Sequence, residues 1–314
     1  MGKIEIALLA GGWSREREIS LKGGNAVLQA LNKGKYEVQV FDPQNDMTEL
    51  IEQKEKIGLA FILLHGKFGE DGRIQGFLDI LGIPYVGSGV LSSAMAVNKK
   101  ITKAIYMAEG MAVPKDVLLT RGGKFSVEEI MEIIGNATVV KPLDEGSSLG
   151  MSVCSNAKEL LGGIEKAFNY GREIMIEEHI DGREVTCCVL GNSEPETLPL
   201  VEIVPKGKYR FFDYNAKYIP GAAEEKCPAP LSGATTELAG ACGKKAHQAL
   251  GCSVWSRTDM IIRDENIYLL ETNTIPGMTE NSLFPLAARA AGLSFSDLLD
   301  KLIALSLDRV SKDT

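Results

Sequence analysis

Near the C-terminal end, two strand-like runs, 254–262 and 267–271, flank the polar turn Arg263-Asp264-Glu265-Asn266. A hairpin centred on Glu265 sets Asp259 opposite Glu271 and Arg257 opposite Asn273. Residues two apart on a strand share a face, so these four form one polar rectangle. Two carboxylates and an amide oxygen this close repel one another unless a cation lies between them. One or two carboxylates completed by phosphate oxygens make a ligand set for Mg²⁺, and an arginine beside them can meet charge developing in a transition state. The plainer alternative is a solvated hairpin with a chance ion pair. The apolar flanks, which call for partly buried strands, weigh against it.

Two other segments carry possible chemistry. Lys141-Pro142 is followed by a loop in which Gly146 and Gly150 allow backbone N–H groups to approach a phosphate, and Ser147 and Ser148 add hydroxyl donors. It is neither a GxxxxGK[ST] loop nor a GxGxxG turn, and taken alone a mobile serine-glycine turn describes it better. The run Glu177-Glu178-His179-Ile180-Asp181-Gly182-Arg183-Glu184 ends one strand and opens the next. Such a crossing can bind a base with its backbone and a ribose with a glutamate; by itself it reads as an acidic surface turn.

Composition narrows the classes. Thirty-four basic against 42 acidic residues give a net charge of −8, which argues against sequence-independent capture of nucleic acid but leaves room for an anionic ligand in a local lysine cluster. Three histidines and six cysteines without CxxC spacing favour oxygen ligands, and so Mg²⁺ over Zn²⁺, with the thiols reduced and structural. The longest apolar run, 57–64, is strand-sized against the ~20 residues of a membrane span, and residues 1–12 read as a first strand and its glycine turn rather than a signal peptide. The chain is expected to be cytoplasmic.

The elements that must position these residues begin with β-rich runs at 4–9, 36–41, 59–64 and 84–86, with helical stretches at 16–31 and 72–81. Strand–helix alternation at this spacing predicts an α/β fold with a doubly wound parallel sheet whose ligand-facing edge lies at the strand C-termini, where Gly11-Gly12 and His65-Gly66 fall. From Asn98 the pattern changes: a helix to 109, strands at 139–142, 151–154 and 173–177, then strands at 184–190 and 198–204 and a polar, aromatic loop from 205 to 221. At 314 residues, three modules fit the ~100–200 residues usual for one domain: 1–97, 98–181 and 182–314.

Together these pieces resemble one family, the D-alanine–D-alanine ligases of the ATP-grasp group. The resemblance runs from Gly11-Gly12-Trp13-Ser14-Arg15-Glu16-Arg17-Glu18-Ile19-Ser20 through Leu64-His65-Gly66-Lys67-Phe68-Gly69-Glu70-Asp71-Gly72, Lys141-Pro142 with 145–150, and Asp213-Tyr214-Asn215-Ala216-Lys217-Tyr218, to Arg257-Thr258-Asp259 and Glu271-Thr272-Asn273-Thr274-Ile275-Pro276-Gly277-Met278-Thr279. Asp144 departs from it, standing where an arginine is frequent, and Trp13 stands where a smaller residue is common. The resemblance implies an ATP-grasp fold in which the two later α+β modules sandwich ATP and the N-terminal module closes over the amino acids. Lys99, Lys141 and Ser148 then resemble phosphate contacts, Glu177 and the Ile180 backbone adenine contacts, and Glu184 the ribose contact. Lys217 resembles the lysine of a closing loop, expected to order over the phosphates. Asp259, Glu271 and Asn273 match the ligands of two Mg²⁺ ions, with Mn²⁺ as a substitute.

For the reacting amino acids, Glu16 resembles the holder of the first ammonium group, with His65 near that subsite and Ser147 and Tyr218 linked to Glu16. Arg257 and the Gly277 N–H resemble the oxyanion donors, and Ser282 a contact to the second carboxylate. The implied reaction joins two D-alanines; the alternative acceptors are D-lactate and D-serine, and a tyrosine at 218 accompanies dipeptide synthesis in the family. A homodimer is implied by the family alone.

Overall fold

The computed structural model describes residues 2–143, 146, 149–206 and 221–313. The chain opens with β1 (Ile4–Leu9), α1 (Arg17–Ala30), β2 (Tyr36–Phe41), α2 (Met47–Glu52) and β3 (Leu59–Ile62), then α3 (Arg73–Leu81). Here β1 lies between β2 and β3, parallel to both. All four residues of β3 are buried, as expected for a parallel strand covered on both faces. The expected strand at 84–86 reduces to one parallel bridge, Ala60 to Tyr85. Pro84 offers no N–H, and Gly87 turns the chain away at φ +105°.

Next come α4 (Val90–Val97), α5 (Lys99–Ala108), β4 (Asp116–Thr120), α6 (Val127–Ile134), β5 (Thr138–Pro142), β6 (Ser152–Cys154), α7 (Ala157–Phe168) and β7 (Glu173–Glu178). The strands form an antiparallel sheet in the order β4-β7-β5-β6, and α6 and α7 pack on it through Ile130, Ile134, Leu160 and Ile164.

The third sheet takes β8 (Arg183–Leu190), β9 (Glu196–Thr197), β10 (Val201–Pro205), β11 (Ala223–Lys226), β12 (Trp255–Arg263) and β13 (Asn266–Asn273). Its main path is β11-β10-β8-β12-β13. Between β11 and β12 runs α8 (Gly233–Ala249), which shares a core with Val185, Met260 and Leu269. β10 begins at 201 rather than at 198, because Pro199 cannot donate to a ladder. The last helices, α9 (Leu283–Ala290) and α10 (Phe295–Asp313), return to the core of the parallel sheet, where Phe284, Leu298 and Leu302 join Ile6, Leu8 and Phe61. All six cysteines are free thiols.

Candidate active site

The rectangle forms, by a route the sequence alone does not show. The β12–β13 turn contains only Asp264 and Glu265, both left-handed (φ +48° and +68°), so Arg263 pairs with Asn266 and Met260 with Leu269. Continued, that register would set Asp259 opposite Leu270 and turn Glu271 and Asn273 toward the core. A bulge between Asp259 and Met260 takes up Leu270 and restores the pairs Asp259–Glu271, Thr258–Thr272 and Arg257–Asn273. Behind the rectangle, Thr258 and Thr272 join hydroxyls at 2.7 Å, and Tyr106 of α5 reaches Thr272 at 2.6 Å.

Within the rectangle, Arg257 grips Asp259 with two bonds, Nε to Oδ1 at 2.9 Å and Nη2 to Oδ2 at 2.7 Å. Thr186 on β8 donates to the same Oδ1 at 2.6 Å. Burial works against the guanidinium charge, but Asp259 outweighs it and holds the Arg257 pKa above its ordinary value. Lys99 lies 3.4 Å from Glu271. The Asn273 amide, oriented to satisfy both neighbours, donates from nitrogen to Glu70 Oε1 at 2.9 Å and accepts on oxygen from Arg257 Nη2 at 3.3 Å.

Glu70 therefore ties the N-terminal loop to the hairpin. Its other oxygen accepts from the Gly66 N–H at 2.8 Å, and Oε1 lies 3.6 Å from His65 Nδ1. His65 is buried, and Nε2 has no partner among the described residues. Burial pushes its pKa down, yet Glu70 and the nearby charge of Glu16 raise it overall. Glu16, buried at the start of α1, packs so closely on this loop that a Cβ at Gly66 would lie 2.9 Å from its Oε2. A Cβ at Gly146 would lie 3.0 Å from the same oxygen, so Gly146 too lies against Glu16.

On the β4-β7-β5 sheet, Asp116 stands opposite Glu177, and Lys141 shares their face one diagonal step away. Glu177 is 2% exposed. Its Oε2 takes Lys141 Nζ at 2.6 Å and its Oε1 takes Lys103 Nζ at 2.9 Å. Burial raises the Glu177 pKa, but the two lysines more than reverse this and leave it lowered; burial lowers that of Lys141, and Glu177 more than restores it.

Ile180 is buried just past β7, and Glu184 lies on β8 opposite Ile203 and Ile261. Gly277 and Ser282 adjoin each other: a Cβ at Gly277 would lie 3.1 Å from Ser282 Oγ, which is held by Thr279 at 2.8 Å. Ser147, Ser148, Lys217 and Tyr218 lie outside the described residues, as does the loop over 207–220. Sequence reasoning assigned no role to Lys103 or Thr186 and quoted Glu70 without one. The available signal for Lys103 was its four-residue spacing from Lys99 on one helix face.

The donor set suits a hard divalent cation: two carboxylates and an amide oxygen on one face, with Arg257 and Lys99 balancing the acids. The family described as D-ala D-ala ligase C-terminus matches residues 105–304, and D-ala D-ala ligase N-terminus matches 41–88. Over 306 residues the chain is 50% identical to the D-alanine–D-alanine ligase of Syntrophobacter fumaroxidans, covering 98% of each. It superposes on the ATP-complexed D-alanine–D-alanine ligase of Bacillus anthracis with a TM-score of 0.86 at 34% identity, over 99% of this chain and 100% of that one. The VanG D-Ala:D-Ser ligase of Enterococcus faecalis gives 0.81 at 32%, over 97% and 100%. The fold is that of an ATP-grasp ligase. Within that class, the chain belongs to the D-alanine–D-alanine ligase family.

Proposed function

We propose that this protein joins two D-alanines into D-alanyl-D-alanine with cleavage of ATP to ADP and phosphate, supplying a peptidoglycan precursor. The observation that carries the reading is the face of Arg257, Asp259, Glu271 and Asn273, with Lys99 at Glu271. Three units, 1–97, 98–181 and 182–314, close around the substrates. Lys99, Lys141 and Ser148 bind the phosphates, Glu177 and the Ile180 backbone the adenine, Glu184 the ribose, and Lys217 the γ-phosphate. Asp259, Glu271 and Asn273 would hold two Mg²⁺ ions, which offset charge on the transferring phosphoryl group.

A carboxylate oxygen of the first D-alanine, held through its ammonium group by Glu16, attacks the γ-phosphorus; ADP leaves and an acyl phosphate remains. The deprotonated amine of the second D-alanine, whose carboxylate meets Ser282, attacks the acyl carbon. The tetrahedral oxyanion accepts from the Gly277 N–H and from Arg257, whose Nη1 is not used in the Asp259 and Asn273 contacts. It then collapses, expelling phosphate.

Acceptor choice rests on Tyr218, since the family resemblance associates a tyrosine here, linked with Ser147 and Glu16, with an amine acceptor over a hydroxyl. We assign the protein to the cytoplasm as a homodimer; no helix among the described residues is long and apolar enough to cross a membrane. The test is phosphate release with ATP, Mg²⁺, D-alanine and each D-amino acid or D-lactate as acceptor, with product identification. D-alanyl-D-alanine is expected, and release without it, or with D-lactate or D-serine preferred as acceptor, contradicts the reading. Tyr218→Phe is expected to raise D-lactate use relative to D-alanine near pH 6; an unchanged ratio of kcat/KM values removes the acceptor argument.

A further inference from the structure

α5 turns Lys99, Lys103 and Tyr106 onto one side, the outer two toward β13 and Lys103 toward β4 and β7. Lys99 approaches Glu271 on β13 and Tyr106 bonds Thr272. Lys103 is 1% exposed, and the catalytic steps above do not use it. Its ammonium has three acceptors: the Pro114 carbonyl at 2.7 Å, Asp116 Oδ1 at 2.7 Å and Glu177 Oε1 at 2.9 Å. A lysine buried this far costs heavily unless paired, and a helix needs only apolar residues to dock. The saturated ammonium is a rigid fixture with a carboxylate at the end of it.

Glu177 spends its two oxygens unequally. Oε2 is held by Lys141, which the function proposed above assigns to the nucleotide phosphates, whereas Oε1 is held by Lys103, which the Pro114 carbonyl and Asp116 keep in place. With Lys141 turned to phosphate, Lys103 is the cation left to fix the carboxylate and keep it ionised. An ionised carboxylate only accepts hydrogen bonds; it welcomes the amino group of a 6-aminopurine and meets the carbonyl of a 6-oxopurine with two acceptors face to face. We propose that Lys103 is the positioning residue of base recognition, holding one oxygen of Glu177 so that the other faces the nucleotide as an acceptor and selects a 6-aminopurine over a 6-oxopurine. This rests on Glu177 as the adenine contact.

The experiment compares kcat/KM for ATP and ITP at saturating D-alanine in the full-length protein, wild type against Lys103→Met, Lys103→Arg and the double variant Lys103→Met/Asp116→Asn. A buried polar mismatch is worth orders of magnitude in selectivity, so the ATP-to-ITP ratio is expected to fall at least ~10-fold in Lys103→Met, chiefly through the nucleotide KM, with the D-alanine KM changed less than about twofold. Lys103→Arg, which keeps the charge, should hold the ratio within about threefold of wild type. The double variant removes the acid that Lys103→Met strands; it is expected to show the same fall and keeps the test readable if the single variant does not fold. An unchanged ratio with both nucleotides losing rate together would reduce Lys103 to a structural role and overturn the proposal. A wild-type ligase that uses ITP as well as ATP would instead overturn the adenine assignment of Glu177, and the proposal with it.

Discussion

The parallel sheet of β1–β3 delivers Glu16 and His65 from beyond its strand ends, whereas the β12–β13 hairpin delivers Arg257, Asp259, Glu271 and Asn273 from the face of its strands. The first kind of placement depends on local backbone: Gly66 at φ +66° lets the loop fold against Glu16 with no room for a Cβ. The second depends on register, where a shift of one residue sends every side chain to the other face. Errors in a loop displace a group by fractions of an ångström; an error in register removes it altogether. Glu70, bonded to both Gly66 and Asn273, is where the two systems meet.

The largest effect should follow from breaking the register. One glycine inserted between Leu270 and Glu271 turns Glu271 and Asn273 toward the core, so ligase turnover is expected to fall ~1000-fold or more and the protein to lose several kcal/mol as unpaired charge is buried. Phosphate release and thermal unfolding check this; a stable, active insertion variant would show that the bulge does not set the face. Changing one donor without moving the strand should do less: Asp259→Asn and Glu271→Gln are each expected to lower turnover at least ~100-fold with the fold intact by circular dichroism.

On the loop side, Gly66→Ala strains the backbone by about 1–3 kcal/mol and presses on Glu16. It is expected to raise the KM for the first D-alanine ~10-fold while the ATP KM holds, since ~1.4 kcal/mol corresponds to tenfold. Equal effects on both KM values would mean that the loop does not address the amino acid alone.

The smallest effect on turnover lies behind the hairpin, where a change should alter stability and leave catalysis untouched. His247 on α8 is fully buried, with Nδ1 2.7 Å from Ser256 Oγ, and burial lowers its pKa from 6.5 to about 4. A depressed histidine pKa means that the unfolded chain takes up the proton first. Its stabilising contribution, about 3 kcal/mol, is therefore present above pH ~6.5 and is lost as pH falls toward 4. His247→Gln should flatten the stability profile between those limits; an unchanged slope would place the acid sensitivity in another group.

The same contrast explains what the sequence made legible. Strand alternation put Arg257, Asp259, Glu271 and Asn273 on one face, and glycines marked the loop ends at Gly12 and Gly66. The expected turn centre at Glu265 was off by half a residue, yet the pairs came out as drawn, because the bulge at Leu270 offsets the tighter two-residue turn. A bulge leaves little mark in alternation when the extra residue is itself apolar. Lys103 was illegible for another reason. A lysine on a helix ordinarily reads as solvent-facing, and only the tertiary meeting of α5 with Asp116 and Glu177 makes it a buried one. The segment 84–86 was overread because β-branched and aromatic residues suggest a strand that Pro84 and Gly87 cut to a single bridge.

The central claim is that this face activates an amino-acid carboxylate by transfer of the γ-phosphoryl group. Turnover with D-alanine labelled with ¹⁸O in its carboxylate, followed by mass analysis of the phosphate, tests it most directly. If the acyl phosphate forms, the oxygen that attacked phosphorus departs with it, and each dipeptide made is accompanied by one labelled phosphate. Dipeptide made with phosphate free of label, the lost carboxylate oxygen appearing in water instead, would contradict the account.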